Sequence, residues 1–210
     1  MFDSDRPEVY EKVYQELLPR LAAADLKSAA RELGLEWLPG ENAARVPLLN
    51  RHFLVGPGGV RPADGGSDPF THRIVLAYYL LHGGRGTPAG RYLPYRELPG
   101  GQDFARSLSE IVEGRLARSF SGRLPQLEKA AQALGASPAP PEFSGDLARV
   151  FPALPKLPLV LTFYDADEEF PAEAKVFYDL TAPNFLDLEC LAVLGLILVM
   201  ELEAAADPTT

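Results

Sequence analysis

"FLDLECLAVLGLILVMELEA", residues 185–204, is the stretch of this 210-residue chain that decides the fold. It predicts a helix that is apolar on nearly every face, and such a helix has to be buried on all sides. Asn184 is predicted as its N-cap, with Asp187 and Glu189 in the first turn, where they complement the helix dipole. The apolar run at 191–200 is too short to span a bilayer. We therefore expect a central core helix.

The segments before this helix predict an α+β fold. "LPLVLTFY" (157–164) and "AKVFYDL" (174–180) are typical of two strands around an acidic loop. "LEWLPGE" and "ARVPLLNRHFLVGPGGVRPADGG" predict short strands with a hairpin turn at "VGPGGV". Apolar periodicity predicts helices over about 6–23, 25–33, 69–82, 102–120 and 123–134.

The strands come in neighbouring runs and do not alternate regularly with helices, which favours α+β over α/β. The predicted architecture is a single domain over 1–205, with short antiparallel strands and hairpins packed against five to six helices. The apolar C-terminal helix is central, and residues 206–210 form a frayed tail. "ASPAPPEF" at 136–143 is interpreted as an internal loop, because too little sequence follows it for a second domain.

Composition excludes several classes of function. A formal charge of −9 argues against a nucleic-acid binder, because phosphate contacts need a basic surface. One cysteine excludes a disulfide framework and a cysteine-built metal site within this chain, and it fits a reducing compartment. The acidic, polar N-terminus does not resemble a signal peptide. We expect a cytoplasmic, acidic protein that binds neither nucleic acid nor membrane.

The acidic loop is the first candidate site. It carries four carboxylates in five residues, Asp165, Asp167, Glu168 and Glu169. The glycine and final glutamate of an EF-hand loop are missing, so that motif is excluded. A solvated turn, a looser cation or partner contact, and acid/base chemistry with one raised pKa remain open. Phe170 and Pro171 suggest that the loop folds back and docks an aromatic ring.

The second candidate is a basic island at 85–123, which holds seven arginines against four acidic residues. Arginine grips carboxylate or phosphate in a fork, and tyrosine stacks on flat ligands. Two glycines before a predicted helix offer free amides to an anion. The predicted ligand-binding residues are Arg91, Tyr92, Tyr95, Arg96, Gly100 and Gly101. The competing interpretation is structural: Arg–Glu pairs tie this loop to the acidic hairpin.

Three motifs carry a family resemblance: "RELPGG" (96–101), "DEEFP" (167–171) and "FLDLECLAVL" (185–194). With their surroundings they resemble domain-of-unknown-function family 3786 of anaerobic bacteria and archaea. The family typically reads Y-L-P-T-E-D where this chain has 185–190, so a family site there would be altered. The resemblance implies an accessory or cofactor-related role in anaerobic metabolism, near corrinoid chemistry. It transfers no activity, and this chain lacks the cysteines for an iron–sulfur cluster.

Two functional hypotheses follow, and a pure scaffold stays open as a third. The favoured one is a non-catalytic binding or accessory protein. Its Gly/Arg/Tyr loop (83–101) would bind a small anionic ligand of the tetrapyrrole or corrinoid type, or a protein partner. The alternative is a metal-assisted or carboxylate-based enzyme at the acidic loop. The sequence identifies no cofactor and no metal site.

Overall fold

The computed structural model describes residues 7–67, 69–103 and 108–207. Its six α-helices are α1 (Pro7–Ala23), α2 (Leu26–Leu33), α3 (Phe70–His82), α4 (Arg115–Phe120), α5 (Leu124–Ala133) and α6 (Leu188–Ala206). Its strands are β1 (Glu36–Leu38), β2 (Ala43–Leu48), β3 (Arg51–Gly56), β4 (Gly59–Pro62), β5 (Tyr92–Pro94), β6 (Ser137–Pro138), β7 (Leu147–Leu154), β8 (Leu157–Tyr164) and β9 (Glu173–Asp179). The predicted single α+β domain is confirmed.

The strands form two antiparallel sheets. The first is a meander in the order β1-β2-β3-β4, and the second has the order β5-β9-β8-β7-β6. The predicted turn at 55–60 closes the β3–β4 hairpin, where Gly56 lies opposite Gly59. The predicted strands at 157–164 and 174–180 pair along their length as β8 and β9.

Helix α6 lies at the centre, as its composition predicts. Every residue from 190 to 199 is buried, because α3, α4 and α5 pack around it. The predicted N-cap at Asn184 is wrong. Asn184 ends a 3₁₀ turn, and the cap is Asp187, whose Oδ1 accepts a hydrogen bond of 2.8 Å from the Cys190 amide. No helix of the described residues is long and apolar enough to cross a membrane.

The predicted α-helix over 102–120 is only partly correct. Residues 101–103 form a 3₁₀ turn, Ser109–Gly114 form a π-helical turn, and α4 is α-helical. Glu113 on the π-helical turn accepts a hydrogen bond from the Val176 amide of β9 at 3.2 Å. This contact covers the part of the β9 edge that β5 does not pair. Residues 104–107 of this predicted helix lie outside the described residues, as does Asp68, which precedes the predicted helix at 69–82.

Three strands were not expected from the sequence. β5 and β6 have three and two residues, so they carry almost no periodicity of their own. β7 contains Pro152, and its pairing with β8 shifts register between Phe151 and Leu154. Of these three, β5 pairs with a distant part of the chain, β9, whereas β6 and β7 each pair with the next strand in sequence. The predicted tail at 206–210 is untested, because α6 includes Ala206 and 208–210 lie outside the described residues.

One close contact fixes how the second sheet approaches α6. The fully buried Tyr178 of β9 places its hydroxyl against Gly195, in the space that a β-carbon would occupy. That hydroxyl has no hydrogen-bond partner in the described part of the chain. Glycine in a helix interior costs about 1 kcal/mol relative to alanine. Here the glycine gives the tyrosine room.

We expect Gly195→Ala to lower the free energy of unfolding by about 1–3 kcal/mol, because overpacking outweighs the gain in helix propensity. Tyr178→Phe in the same chain should restore most of the loss, since it removes the oxygen that clashes. Urea unfolding of the single and double variants measures both effects. Gly40→Ala is the matched control, because a β-carbon there meets nothing within 4 Å. Equal stability of the Gly195 and Gly40 variants would contradict the packing argument.

A buried polar contact joins α3 to the end of α6. His72, which is 1% exposed, donates from Nε2 to Oε1 of Glu201 at 3.0 Å. This hydrogen bond holds the pKa of Glu201 below its ordinary value of 4.5, although burial opposes the shift. A lowered pKa in the folded state means that the carboxylate contributes stability above the unfolded-state pKa. That contribution is lost as the pH falls through the folded-state pKa.

We therefore expect Glu201→Gln to flatten the acid limb of the stability curve below about pH 5. The measurement is the free energy of unfolding in urea from about pH 6 to about pH 3. Glu168→Gln, an exposed change of the same kind, should keep the wild-type slope. The same acid slope in the Glu201→Gln variant and in the wild-type protein would rule out this linkage.

Candidate functional site

The Gly/Arg/Tyr loop, residues 83–101, is anchored by one buried carboxylate, Asp179 at the end of β9. Its Oδ1 accepts hydrogen bonds from the Ala89 amide at 2.9 Å and from the amide and hydroxyl of Thr181 at 2.9 and 2.6 Å. Its Oδ2 accepts from the Gly90 amide at 2.7 Å. Sequence analysis missed this residue, although a strand ending in Asp-Leu-Thr is a local signal for such a turn.

Two opposing effects act on the Asp179 carboxyl. Burial raises its pKa, but the hydrogen bonds from Thr181, Ala89 and Gly90 together outweigh burial, and the net pKa lies below the ordinary value. The group is therefore a charged acceptor. The carboxylate holds the irregular segment between α3 and β5, whose backbone forms no strand pairs of its own.

The anchor also fixes the main chain of Arg91. The Gly90 amide is held by Asp179, and the Arg91 carbonyl accepts from the Leu180 amide at 2.8 Å. Tyr92 then enters β5, opposite Asp179. Arg91 is exposed and forms no ion pair with any described residue. Arg96 is also exposed and has a single long contact, 3.9 Å, with the neighbouring Glu97.

The structure divides the six residues predicted to bind ligand. Arg91, Arg96 and Gly100 are exposed and Tyr92 is half-buried, whereas Tyr95 and Gly101 are buried. The Tyr95 hydroxyl donates to the Leu188 carbonyl at 2.7 Å, and burial, with the charges of Asp187 and Glu189, raises the pKa of Tyr95 to about 12. Tyr95 therefore packs in the core and offers no free ring to a ligand.

The glycine pair has a packing role. A β-carbon at Gly101 would collide with the Tyr95 carbonyl, and one at Gly100, where φ is +82°, would lie 2.9 Å from Leu188. The Gly101 amide already donates to the Leu98 carbonyl at 2.9 Å. The amide expected to be free for an anion is thus occupied, and the turn that follows it has only three residues.

An aromatic cluster adjoins Arg91 on the outer face of the second sheet. Phe143 packs edge-on against Phe177 with ring centroids 5.0 Å apart and against Tyr92 at 5.9 Å. All three rings are half-buried and lie apart from the main core. The Phe143 ring comes from the proline-rich loop that precedes β7. Tyr92, the residue after Arg91, therefore joins the Gly/Arg/Tyr loop to a group of apolar, partly accessible rings.

The acidic loop is organised by its own main chain. Oδ1 of Asp167 accepts hydrogen bonds from the Glu169 and Phe170 amides at 2.8 and 2.7 Å, and these bonds lower the pKa of Asp167. Asp165 accepts from the Gly122 amide at 2.7 Å. Glu168 and Glu169 are exposed. The expectation that the loop docks an aromatic ring is wrong, because Phe170 is 66% exposed.

The basic island and the acidic loop do not neutralise each other through Arg–Glu pairs in the described residues. Arg85 pairs with Glu32, Arg115 with Glu203 and Arg123 with Asp207. The contact between the two segments is the Gly122 amide on Asp165. The structural interpretation drawn from the sequence is therefore correct that the two segments are in contact, but wrong that Arg–Glu pairs join them.

Nothing in the described residues forms a metal centre. No group of three or more histidine, cysteine or acidic side chains is placed to hold an ion in 7–67, 69–103 and 108–207. Cys190 is buried, and its burial, together with Asp187 and Glu189, raises the pKa of its thiol far above the ordinary value. This thiol is unsuited to nucleophilic chemistry.

Comparison with protein families gives one match, over residues 25–201, to the model described as "Domain of unknown function (DUF3786)". The chain belongs to this family. The DUF3786 region begins at the N-cap of α2 and ends within α6, so it contains both sheets, the Gly/Arg/Tyr loop and its anchor. Neither a search of curated proteins nor a search of solved structures gives a match.

We expect Asp179→Asn to release the loop. Both Asp179 oxygens accept, so either orientation of an asparagine amide sets its NH₂ against another donor. Losing hydrogen bonds to a charged group should lower the free energy of unfolding by about 1.5–3 kcal/mol. Amide exchange at Ala89 and Gly90 should accelerate. Urea unfolding and hydrogen exchange followed by mass spectrometry measure the two effects.

Asp167→Asn is the matched control for this change. Its single accepting oxygen, Oδ1, is retained in asparagine, and the residue is exposed, so we expect a change within about 0.5 kcal/mol. Unaltered exchange at Ala89 and Gly90 in the Asp179 variant would show that the carboxylate does not hold the loop.

Proposed function

We propose that this protein is a non-catalytic binding protein, and that its Gly/Arg/Tyr loop takes a small anionic ligand with a flat, partly apolar body. The observation that carries the proposal is the anchoring of Arg91. A buried carboxylate with four hydrogen bonds fixes the main chain beside a guanidinium that no described residue neutralises. A charged group removed from water costs free energy unless it is fully hydrogen-bonded, so the loop conformation is strongly specified.

The ligand class follows from the side chains that remain accessible. Arg91 and Arg96 offer forked donors to carboxylate or phosphate groups. Tyr92, Phe143 and Phe177 offer half-exposed ring surface, which suits a flat ligand. A carboxylated tetrapyrrole or a corrinoid-like cofactor has both features. An anaerobic, accessory role in metabolism is the setting that the family resemblance implies, and it stays a prediction.

The enzymatic alternative has no comparable support in the described residues. A carboxylate that acts as general acid needs a raised pKa, whereas the pKa of Asp167 is lowered by backbone amides. Asp165 is occupied by the Gly122 amide. The acidic loop therefore supports a shaped surface turn better than an active site.

The test is binding of two flat probes to the purified protein, preceded by native mass spectrometry and an absorption spectrum after anaerobic purification. Uroporphyrin carries free carboxylates, whereas cyanocobalamin has amidated side chains. We expect uroporphyrin to bind more tightly, and Arg91→Ala to weaken it about tenfold or more, the size of one charge-assisted hydrogen bond. Visible absorption titrations measure the affinities.

Arg118→Ala is the matched control, because Arg118 is exposed in the same basic island and forms no ion pair with a described residue. It should bind uroporphyrin as the wild type does. Equal losses in the Arg91 and Arg118 variants would mean that general charge, and not this loop, attracts the probe. No saturable binding of either probe and no copurified adduct would refute the small-molecule proposal.

A further inference from the structure

A groove between α2 and β1 is lined by residues that none of the preceding sites uses. It has a volume of about 500 Å³, within the roughly 300–1,000 Å³ typical of small-molecule sites. Leu35 and Trp37 contribute apolar surface and pack on their inner sides against the core. The remaining lining comes from the exposed side of α2, namely Asp25, Lys27, Ser28 and Arg31.

The two cations in this groove lack partners of opposite charge. Lys27 and Arg31 are one helical turn apart on α2, and neither forms an ion pair with a described residue. The nearby carboxylates are already engaged, since Glu32 pairs with Arg85 at 3.1 Å and Glu36 with Arg45 at 3.7 Å. Lys27 and Arg31 are therefore two cations one helical turn apart that no described residue neutralises, in a chain of charge −9.

The Arg31 guanidinium is oriented by its own helix. Its Nη2 donates to Ser28 Oγ at 3.2 Å, which leaves the other guanidinium donors for a second partner. Asp25 is the acidic residue of the lining, and its Oδ1 is occupied by the Ser28 amide at 3.0 Å as the N-cap of α2. The N-terminal amide is thus already used, and the cationic side chains are what the groove offers to an anion.

Trp37 defines the other half of the site. It is half-buried in the edge strand β1, opposite Ala44, and its accessible surface faces the groove. An indole ring binds flat rings by stacking. A ligand that contacts Trp37 and Arg31 together must combine a flat ring with an anionic group.

We infer that the groove between α2 and β1 is a second binding site, for a small aromatic or heteroaromatic molecule that carries a phosphate or carboxylate group. Arg31 forks the anion, Lys27 adds charge, and the ring lies on Trp37 above Leu35. The site is independent of the Gly/Arg/Tyr loop, because its lining shares no residue with 83–101.

The chain itself supplies the reporter for the test. Trp37 is the one tryptophan of the sequence, so intrinsic tryptophan fluorescence reads this groove alone. The full-length protein is titrated with phenyl phosphate, and with two half-probes, inorganic phosphate, which carries the anion alone, and benzyl alcohol, which carries an uncharged phenyl ring. Isothermal titration calorimetry is run in parallel, and free N-acetyltryptophanamide corrects for direct quenching.

We expect a saturable fluorescence change with phenyl phosphate and affinities at least about tenfold weaker for each half-probe. Arg31→Gln and Lys27→Gln should each weaken the binding of phenyl phosphate, and Arg31→Gln should raise its dissociation constant about tenfold or more. Lys129→Gln, an exposed change of equal charge on α5, should bind phenyl phosphate as the wild type does. Circular dichroism checks that each variant is folded. Because Lys27 and Arg31 are both exposed, we do not expect either substitution to unfold the protein.

Four results would overturn the inference. The first is no saturable fluorescence change and no heat with phenyl phosphate. The second is wild-type affinity in both the Arg31 and Lys27 variants. The third is equal affinity for benzyl alcohol and phenyl phosphate, which would leave an apolar groove without anion recognition. A loss in Arg91→Ala as large as in Arg31→Gln would place the probe at the loop instead, and would also refute a separate site.

Discussion

The burial of α6 is the constraint on which the rest of the structure depends. A helix with ten consecutive buried residues, 190–199, has no face to turn toward water. Helices α3, α4 and α5, the π-helical turn and Tyr178 of β9 pack against it. The cover is close enough that Gly195 must lack a side chain where Tyr178 meets the helix. The hydrophobic effect thus fixes the architecture, and steric packing fixes the register of its parts.

Around this core the irregular segments are held by carboxylates. Asp179 holds the Gly/Arg/Tyr loop, Asp167 closes the acidic turn, Glu113 covers part of the β9 edge and Asp187 caps α6. Each accepts backbone amides that have no ladder or helix to satisfy them. These four carboxylates therefore have structural roles, whereas Arg91, Lys27 and Arg31 form no ion pair with a described residue.

The sequence was sufficient for the parts of the fold that depend on local chemistry. Asp25 and Gly34 bound α2 as expected, with a side-chain cap at one end and a left-handed glycine at the other. The β8–β9 hairpin follows from two alternating apolar runs. The short strands β5 and β6 and the π-helical turn could not be read in this way. β5 pairs with β9, far along the chain, and β6 and the π-helical turn are too short to carry a periodic pattern of their own.

The same division applies to the candidate sites. The sequence by itself determined a basic, aromatic segment in an acidic chain, and Arg91, Tyr92 and Arg96 are indeed at the surface. It could not separate them from Tyr95 and Gly101, which belong to the same Gly/Arg/Tyr segment of the sequence but are buried. Nor could it find Asp179 or the groove beside Trp37. Whether a residue is buried, and which groups it contacts, depends on elements distant in sequence, so only the tertiary structure decides it.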